Sequence, residues 1–168
     1  LGVDLNKRPA DAVPFEMPKV CPVCGSPLFD DPSEAAIRCT GSDCPAQLSR
    51  TIAHFASRAA MDIEGLGISI VENLMKNGFV KSPADLYELS AQDIASMEKM
   101  GEKSAENLLN ALEKSKSNQL SRLLFAFGIR HVGQKASKVL AEHFGSMDAI
   151  LEASPLEMMA IRDIGDAT

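Results

Sequence analysis

The chain has 168 residues, of which 45% are hydrophobic and 24% charged, and its net charge is -6. This composition is typical of a packed globular protein and disfavours disorder, and the lack of a long apolar run or a signal peptide predicts a soluble, cytoplasmic protein without a membrane partner. The acidic balance argues against a generic electrostatic DNA binder, which usually carries a basic excess. Any contact with nucleic acid would therefore depend on local geometry.

Residues 1–20 form the first predicted segment, an extended connector. They contain three prolines and mixed charges without a sustained apolar period, which is typical of the end of a preceding domain and its linker. The sequence starts without methionine, and residues 161–168 read as a turn that leads into a new helix. We therefore expect a fragment of a longer protein.

All the cysteines lie in the next segment, residues 21–45, as two short-spaced pairs: Cys21 and Cys24, then Cys39 and Cys44. Two such knuckles match the ligand spacing of a structural zinc site, and four protein ligands leave no position for an activated water. Gly25 and Gly41 are expected to supply left-handed backbone to the knuckles. The alternatives are two disulfides, which suit an exported scaffold, and a redox-active pair, which needs a thioredoxin-like alternation of strands and helices.

From Pro45 the pattern becomes helical, and residues 46–168 contain an internal repeat. An apolar residue, a tight turn and a closing glycine recur at residues 63–67, 97–101, 129–133 and 161–165. A constant period of about 32–34 residues indicates one supersecondary unit used several times. We predict a mainly α protein in which a small four-cysteine zinc finger precedes tandem helix-hairpin-helix repeats, the fourth of them truncated.

Helix ends are signalled around these repeats. Ser82, Ser90 and Ser154 are predicted N-caps because an acid follows each of them three residues later. Gly78 and Gly145 are predicted to end the helices that follow the first and third hairpins. The apolar residues 123–127 and 158–159 are expected to be buried.

Such a glycine turn before a helix is a site for an anion. Backbone amides of the turn and of the next helical turn lack partners inside the helix, and the helix dipole favours negative charge there. A DNA phosphate fits, and its binding would not depend on base sequence. The candidate DNA-binding residues are Gly65, Gly67, Lys99, Gly101, Lys103, Arg130, His131, Gly133, Lys135 and Gly165.

The hairpins differ in charge. The second and third carry basic residues, whereas Asp62 and Glu64 flank the first. We therefore expect the second and third hairpins to contact DNA most strongly and the first to be partly structural.

Five strings carry a resemblance to one known family, namely CPVCG at 21–25, RCTG at 38–41, HFASR at 54–58, MDIEGLG at 61–67 and GIRHVG at 128–133. In order and spacing they resemble the zinc-finger and helix-hairpin-helix portion of the bacterial NAD-dependent DNA ligases. The resemblance covers nearly the whole chain. It implies that residues 1–20 are the exit from an oligonucleotide-binding domain.

The resemblance also implies a function for the intact enzyme, which would seal nicks in DNA replication and repair. Such enzymes work through a lysine-AMP intermediate drawn from NAD, with magnesium. This portion would grip nicked duplex across its minor groove as a monomer at the bacterial nucleoid, and it lacks the adenylation lysine, so alone it should not ligate. Lys99, His131 and Asp163 stand where the family often has a glycine, and the acid at Asp163 argues against DNA contact by the fourth hairpin.

Two other classes of function are weighed against this interpretation. A catalytic helix-hairpin-helix protein, such as a glycosylase or a nuclease subunit, needs an acid or lysine in a pocket, and no such constellation stands out from the ordinary helix surface. An interdomain or protein-interaction scaffold without DNA contact agrees with the acidic charge but leaves the repeated glycines unexplained. Salt-dependent affinity for duplex DNA would separate the scaffold from the DNA-binding portion.

Overall fold

The computed structural model describes residues 8–9, 11–30, 36–98 and 100–165. The chain divides into two compact units, Leu1–Pro45 and Ala46–Thr168. The fold is mainly α, as predicted, with a cysteine cluster in the first unit and helix-hairpin-helix repeats in the second. Lys99 lies outside the described residues.

The first unit contains a short antiparallel hairpin that the sequence did not signal. β1 (Leu28–Asp30) pairs with β2 (Ile37–Cys39), with Leu28 opposite Cys39 and Asp30 opposite Ile37. Strands of three residues are too short to show a clear alternation of polar and apolar residues. The pairing places Cys39 at the end of β2, near the knuckle that precedes β1.

The second unit is built from helices. They are α1 (Pro45–Ala56), α2 (Ile68–Lys76), α3 (Ala91–Ala95), α4 (Glu102–Ser115), α5 (Leu120–Ala126), α6 (Gln134–Phe144), α7 (Met147–Glu152) and α8 (Pro155–Met159). The first residue of α1 belongs to the first unit. α2, α4 and α6 each begin directly after a hairpin glycine.

The predicted caps at Ser90 and Ser154 are confirmed. Each hydroxyl accepts a hydrogen bond from an amide three residues later, and the acid there accepts one back from the cap amide. Hydrogen bonds from the Ser90 side chain and amide lower the pKa of Asp93. The amide and side chain of Ser154 lower the pKa of Glu157 in the same way.

The cap predicted at Ser82 is wrong in detail. The helix there is a short 3-10 helix, Ala84–Glu88, whose cap residue is Pro83. The Asp85 carboxylate instead accepts bonds from the amides of Lys81 at 2.7 Å and Ser82 at 2.9 Å. The acid's half of the predicted capping box, its bond from the Ser82 amide, is therefore present, whereas the bond to the serine hydroxyl is not formed.

The predicted helix ends at Gly78 and Gly145 are confirmed. Gly78 has φ +76° after α2, and Gly145 has φ +73° after α6. At the first of them the Phe79 amide donates to the Leu74 carbonyl at 3.0 Å and closes the helix. Glycine adopts this left-handed backbone without the steric cost that a side chain brings.

The hairpins are arranged as two pairs, each with its own core. The first two hairpins contribute Ile63, Leu66 and Met97 to a buried cluster that also holds Leu74 and Leu108. The third and fourth hairpins share a smaller cluster, which consists of Leu124, Val132, Leu140, Ile161 and Ile164. The repeat therefore folds as two tandem helix-hairpin-helix pairs.

Side-chain hydrogen bonds between described residues join the two pairs. The Arg122 guanidinium donates to the Arg58 carbonyl at 2.6 Å, and the Asn118 amide donates to the Met61 carbonyl at 2.7 Å. Nε2 of His54, in α1, lies 3.0 Å from the Phe125 carbonyl. These bonds fix α5 against the segment that precedes the first hairpin.

The prediction that the apolar run at 123–127 is buried is only partly confirmed. Leu124 and Ala126 are buried, but Phe127 is 46% exposed. Met159 is likewise 46% exposed, against expectation. Phe127 caps the C-terminus of α5, and Gly128, with φ +63°, then reverses the chain. The reversal leaves the adjoining side chains outside the core.

Candidate metal centre and nucleic-acid interface

The four cysteines come together in the first unit. Their sulfur atoms all lie within 4.8 Å of one another. The Sγ atoms of Cys21 and Cys44 are 3.9 Å apart, and those of Cys24 and Cys39 are 3.4 Å apart. A tetrahedral site with metal–sulfur distances of about 2.3 Å has sulfurs roughly 3.8 Å apart. The donor set and its spacing therefore fit a structural metal.

Local backbone bonds shape the first knuckle. The Cys21 amide donates to the Ser26 carbonyl at 2.8 Å, and the Gly25 amide donates to the Cys21 carbonyl at 2.9 Å. Gly25 has φ +73°, so its predicted left-handed conformation is confirmed. A residue with a side chain would be strained at this position.

Gly41 is needed for a different reason from the one predicted. Its φ is not positive, but a Cβ here would lie 2.5 Å from Ser26 Oγ and 3.2 Å from Cys24 Sγ. Its amide donates to the Cys39 sulfur at 3.3 Å. The glycine therefore makes room for the thiol cluster and does not serve the turn.

The thiols differ in acidity. Hydrogen bonds from the Ser26 side chain and amide lower the pKa of Cys24 to about 6. The Gly41 amide lowers the pKa of Cys39, but partial burial and the neighbouring sulfur atoms outweigh it and raise that pKa to about 11. A bound cation would stabilise all four as thiolates, which is the form that ligates a metal.

In the second unit, the four hairpins share one turn. In each of them the amide of the fourth residue donates to the carbonyl of the first. These bonds join Leu66 to Ile63 (3.3 Å), Met100 to Met97 (3.2 Å), Val132 to Ile129 (3.0 Å) and Ile164 to Ile161 (3.1 Å). The repeat read from the sequence is therefore also a repeat of backbone geometry.

The third residue of the hairpins is left-handed wherever it is described. Gly65 has φ +85°, His131 +65° and Asp163 +72°. Asp and His enter this region more readily than most residues with side chains. The departures from glycine at His131 and Asp163 therefore keep the turn, although they add a side chain to its surface.

The closing glycines of the first three hairpins are N-caps with extended backbone. Their φ angles are -79° at Gly67, -89° at Gly101 and -81° at Gly133. A Cβ at any of them, or at Gly165, would meet no atom of the described residues within 4 Å. Neither backbone conformation nor packing within the described residues requires glycine at these positions.

The described charged candidates of the second and third hairpins, Lys103, Arg130, His131 and Lys135, are exposed. Lys103 lies 3.0 Å from Glu106, and Lys135 lies 3.3 Å from Asp163 of the fourth hairpin. The second of these ion pairs was not predicted. Because the third and fourth hairpins share one core, Lys135 and Asp163 lie close enough at the surface to form this ion pair.

The third hairpin concentrates exposed candidates in a short stretch, namely Arg130, His131, Gly133 and Lys135. The first hairpin holds Gly65 and Gly67 between exposed acids, Asp62 and Glu64. Asp62 itself has φ +52°. The predicted contrast between a basic third hairpin and an acidic first hairpin is therefore present at the surface of the second unit.

Comparison with known proteins gives three family matches. The NAD-dependent DNA ligase C4 zinc finger domain matches residues 20–46, and a SAM-like helix-hairpin-helix tandem matches residues 57–114. A helix-hairpin-helix motif matches residues 122–168. The last two ranges correspond to the two hairpin pairs.

Curated relatives resemble almost the entire chain. A DNA ligase of Lysinibacillus sphaericus is 48% identical over 166 residues, and one of Heliobacterium modesticaldum is 52% identical over 165. These alignments cover 99% and 98% of this chain but 25% and 24% of the relatives. The chain thus spans about a quarter of the length of the curated relatives it matches.

No helix in the described part of the chain is long and apolar enough to span a membrane.

Proposed function

Since the chain belongs to the DNA ligases and corresponds to their zinc-finger and helix-hairpin-helix portion, we propose that it binds duplex DNA without regard to base sequence. The bound duplex is nicked, and the contacts go to phosphates along its minor groove. The second and third hairpins make the strongest contacts.

The observation that carries this proposal is the open surface above the closing glycines. Gly101 and Gly133 have ordinary backbone angles and no neighbour that a Cβ would meet. Glycine at such positions lets a ligand from outside the chain approach the backbone closely. The free amides of the next helical turn point to the same surface and would bind that ligand. Four such sites at a constant period favour a ligand with repeating charge, as the DNA backbone has.

The basic residues are proposed to assist these amides. Lys103 at the second hairpin, and Arg130, His131 and Lys135 at the third, are exposed beside the glycines. Lys99, outside the described residues, is proposed for the same role at the second hairpin. Gly65, Gly67 and Gly165 belong to weaker sites, because acids stand beside them.

The metal is proposed to be zinc, held by Cys21, Cys24, Cys39 and Cys44. A tetrahedral ion with four thiolates has no open position, so it supplies structure and no reaction chemistry. The segments 1–20, 21–45 and 46–168 are proposed as connector, zinc finger and hairpin domain. The connector follows an oligonucleotide-binding domain.

For the intact protein we propose nick sealing in DNA replication and repair, with NAD and magnesium, by a monomer in the bacterial cytoplasm and nucleoid. The present chain supplies the grip on DNA. It carries no adenylation lysine motif and should not ligate alone.

Binding of the 168-residue chain to nicked and intact duplexes across a salt series tests the proposal. Gly133→Leu and Gly101→Leu should each weaken binding about tenfold, since a bulky group would block a charge-assisted contact. Gln119→Leu is the matched control, because Gln119 is an exposed N-cap that does not follow a hairpin turn. Binding that is absent at low salt, or indifferent to both glycines, would favour the scaffold function.

A further inference from the structure

A basic pocket lies beside the third hairpin but apart from its turn. It has a volume of about 330 Å³, and its lining includes Ala59, Arg122, Phe125, Gln134, Lys135 and Lys138. Residue 59 belongs to the first hairpin pair, whereas α5 and α6 belong to the second. The basic pocket therefore sits where the two pairs meet within the second unit.

The charge of this pocket differs from that of its surroundings. Three of its lining side chains are cationic and none is acidic. The grooves beside the first hairpin instead include Asp62 and Glu64. In a chain with a net charge of -6, such a cluster marks a local site for an anion.

Arg122 is held in place by a backbone carbonyl, and no acidic side chain among the described residues pairs with it. Its Nη2 donates to the Arg58 carbonyl at 2.6 Å. Its Nε has no hydrogen-bond partner among the described residues and almost no exposed surface. A buried donor on a charged group costs free energy until an acceptor satisfies it. The guanidinium is therefore fixed in position and incompletely satisfied.

The other cations have exchangeable partners. Lys135 pairs with Asp163 at 3.3 Å, and Lys138 pairs with Glu142 at 3.7 Å. All four side chains in these pairs are about half exposed or more, so each pair contributes little and can be exchanged for another anion.

We propose that the basic pocket binds a second phosphate of the duplex, separate from the phosphate held by the turn of the third hairpin. Arg122 supplies planar donors and Lys138 supplies charge, whereas Lys135 and the amides of the first turn of α6 serve the phosphate at the turn. A phosphate bound there would join the two hairpin pairs on one stretch of DNA. This inference rests on the proposed function, since the phosphate belongs to DNA.

The test compares charge-matched variants of the full chain. Lys138→Gln removes a pocket cation, and Lys76→Gln removes an exposed lysine at the end of α2. Affinity for nicked duplex is measured by fluorescence anisotropy across a salt series. Lys138→Gln should weaken binding about threefold at low salt and reduce the slope of log affinity against log salt by about one. Lys76→Gln should leave the slope unchanged.

Arg122 is tested with two substitutions, because its bond to Arg58 also supports the fold. Arg122→Lys keeps the charge but loses the planar donors, and Arg122→Gln loses both. The expected order of duplex affinity is wild type, then Arg122→Lys, then Arg122→Gln, with thermal melts that stay cooperative. Equal affinity for wild type and a folded Arg122→Gln would overturn the proposal.

Inorganic phosphate provides a second probe, followed through the backbone amide signals of Ser121, Arg122 and Lys138, which line the pocket outside the hairpin turn. Shifts at these amides with phosphate and with duplex would support a pocket that takes the DNA backbone. Shifts with free phosphate alone would overturn DNA as the source of the anion. Loss of duplex binding in Gly133→Leu, but not in Lys138→Gln, would reject the pocket while leaving the hairpin function intact.

Discussion

The two units of this chain are held together by different means. Among the described residues of the first unit, the buried hydrophobic side chains are those of Cys21 and Cys44. The second unit buries two apolar clusters, one of which includes Ile52, Leu74, Leu86 and Ile94 with no exposed surface. A unit with so small a core needs another source of stability, and clustered thiols provide one through a metal. The difference predicts that the units respond separately to metal removal and to core mutation.

Metal removal has the largest expected effect. A structural zinc contributes free energy of about 10–16 kcal/mol to folding in small zinc-finger peptides. A strong chelator should therefore unfold residues 21–44 and leave the helices of the second unit folded. Hydrogen exchange measured with and without chelator checks this. Equal loss of protection in α4 and α6 would contradict the separation of the two units.

Core truncation should have the converse effect. Leu74 has no exposed surface, so Leu74→Ala should reduce the free energy of unfolding of the second unit by about 2–5 kcal/mol. Urea denaturation followed by helical circular dichroism measures the change. Leu151→Ala, at a residue that is 76% exposed, is the control. The metal content of the purified protein should not change with either substitution, and release of metal by Leu74→Ala would break the comparison.

Asp163 tests whether the basic surface of the second unit meets DNA. Its left-handed φ of +72° suits glycine, and its carboxylate forms an ion pair with Lys135 at 3.3 Å. Asp163→Gly should therefore raise duplex affinity by about threefold, because it frees a cation and removes a negative charge. Asp163→Asn separates charge from backbone conformation, since asparagine also tolerates this φ. Anisotropy titration measures both variants, and unchanged affinity would show that Lys135 does not meet phosphate.

The smallest expected effect is that of low pH on the two capping boxes. The pKa values of Asp93 and Glu157 are lowered by their capping hydrogen bonds. Their contribution to stability is therefore complete above the ordinary carboxyl pKa values, near 4, and is lost as pH falls through the lowered values. The difference in Tm between wild type and Asp93→Asn should shrink as pH falls from 5 towards 3. A difference that is constant across this range would mean that the carboxylate does not act through its charge.

Several parts of this structure followed from sequence because local chemistry determines them. The cysteine spacing predicted the thiol cluster, and the serine–acid pairs at 90–93 and 154–157 predicted two capping boxes. The glycine period predicted the four hairpins, since each repeats a turn closed by neighbouring backbone groups. The capping boxes, the hairpin turns and each cysteine knuckle depend on residues that lie within a few positions of one another.

Other parts could not be predicted because distant contacts determine them. The ion pair between Lys135 and Asp163 exists because the third and fourth hairpins share a core. The need for glycine at position 41 comes from the nearby Ser26 and Cys24 side chains. Ile129 stands in the same repeat position as three buried residues but is 51% exposed, after the reversal at Gly128. The basic pocket likewise depends on how α5 and α6 pack.

The central claim, that hairpin amides hold DNA phosphates, is tested most directly by titrating the isotope-labelled chain with a nicked duplex and following its backbone amide signals. The account predicts the largest shifts at residues 101–104 and 133–136, with smaller shifts at 67–69, and loss of all of them at high salt. Shifts confined to other surfaces, or equal shifts at the acidic first hairpin, would contradict it.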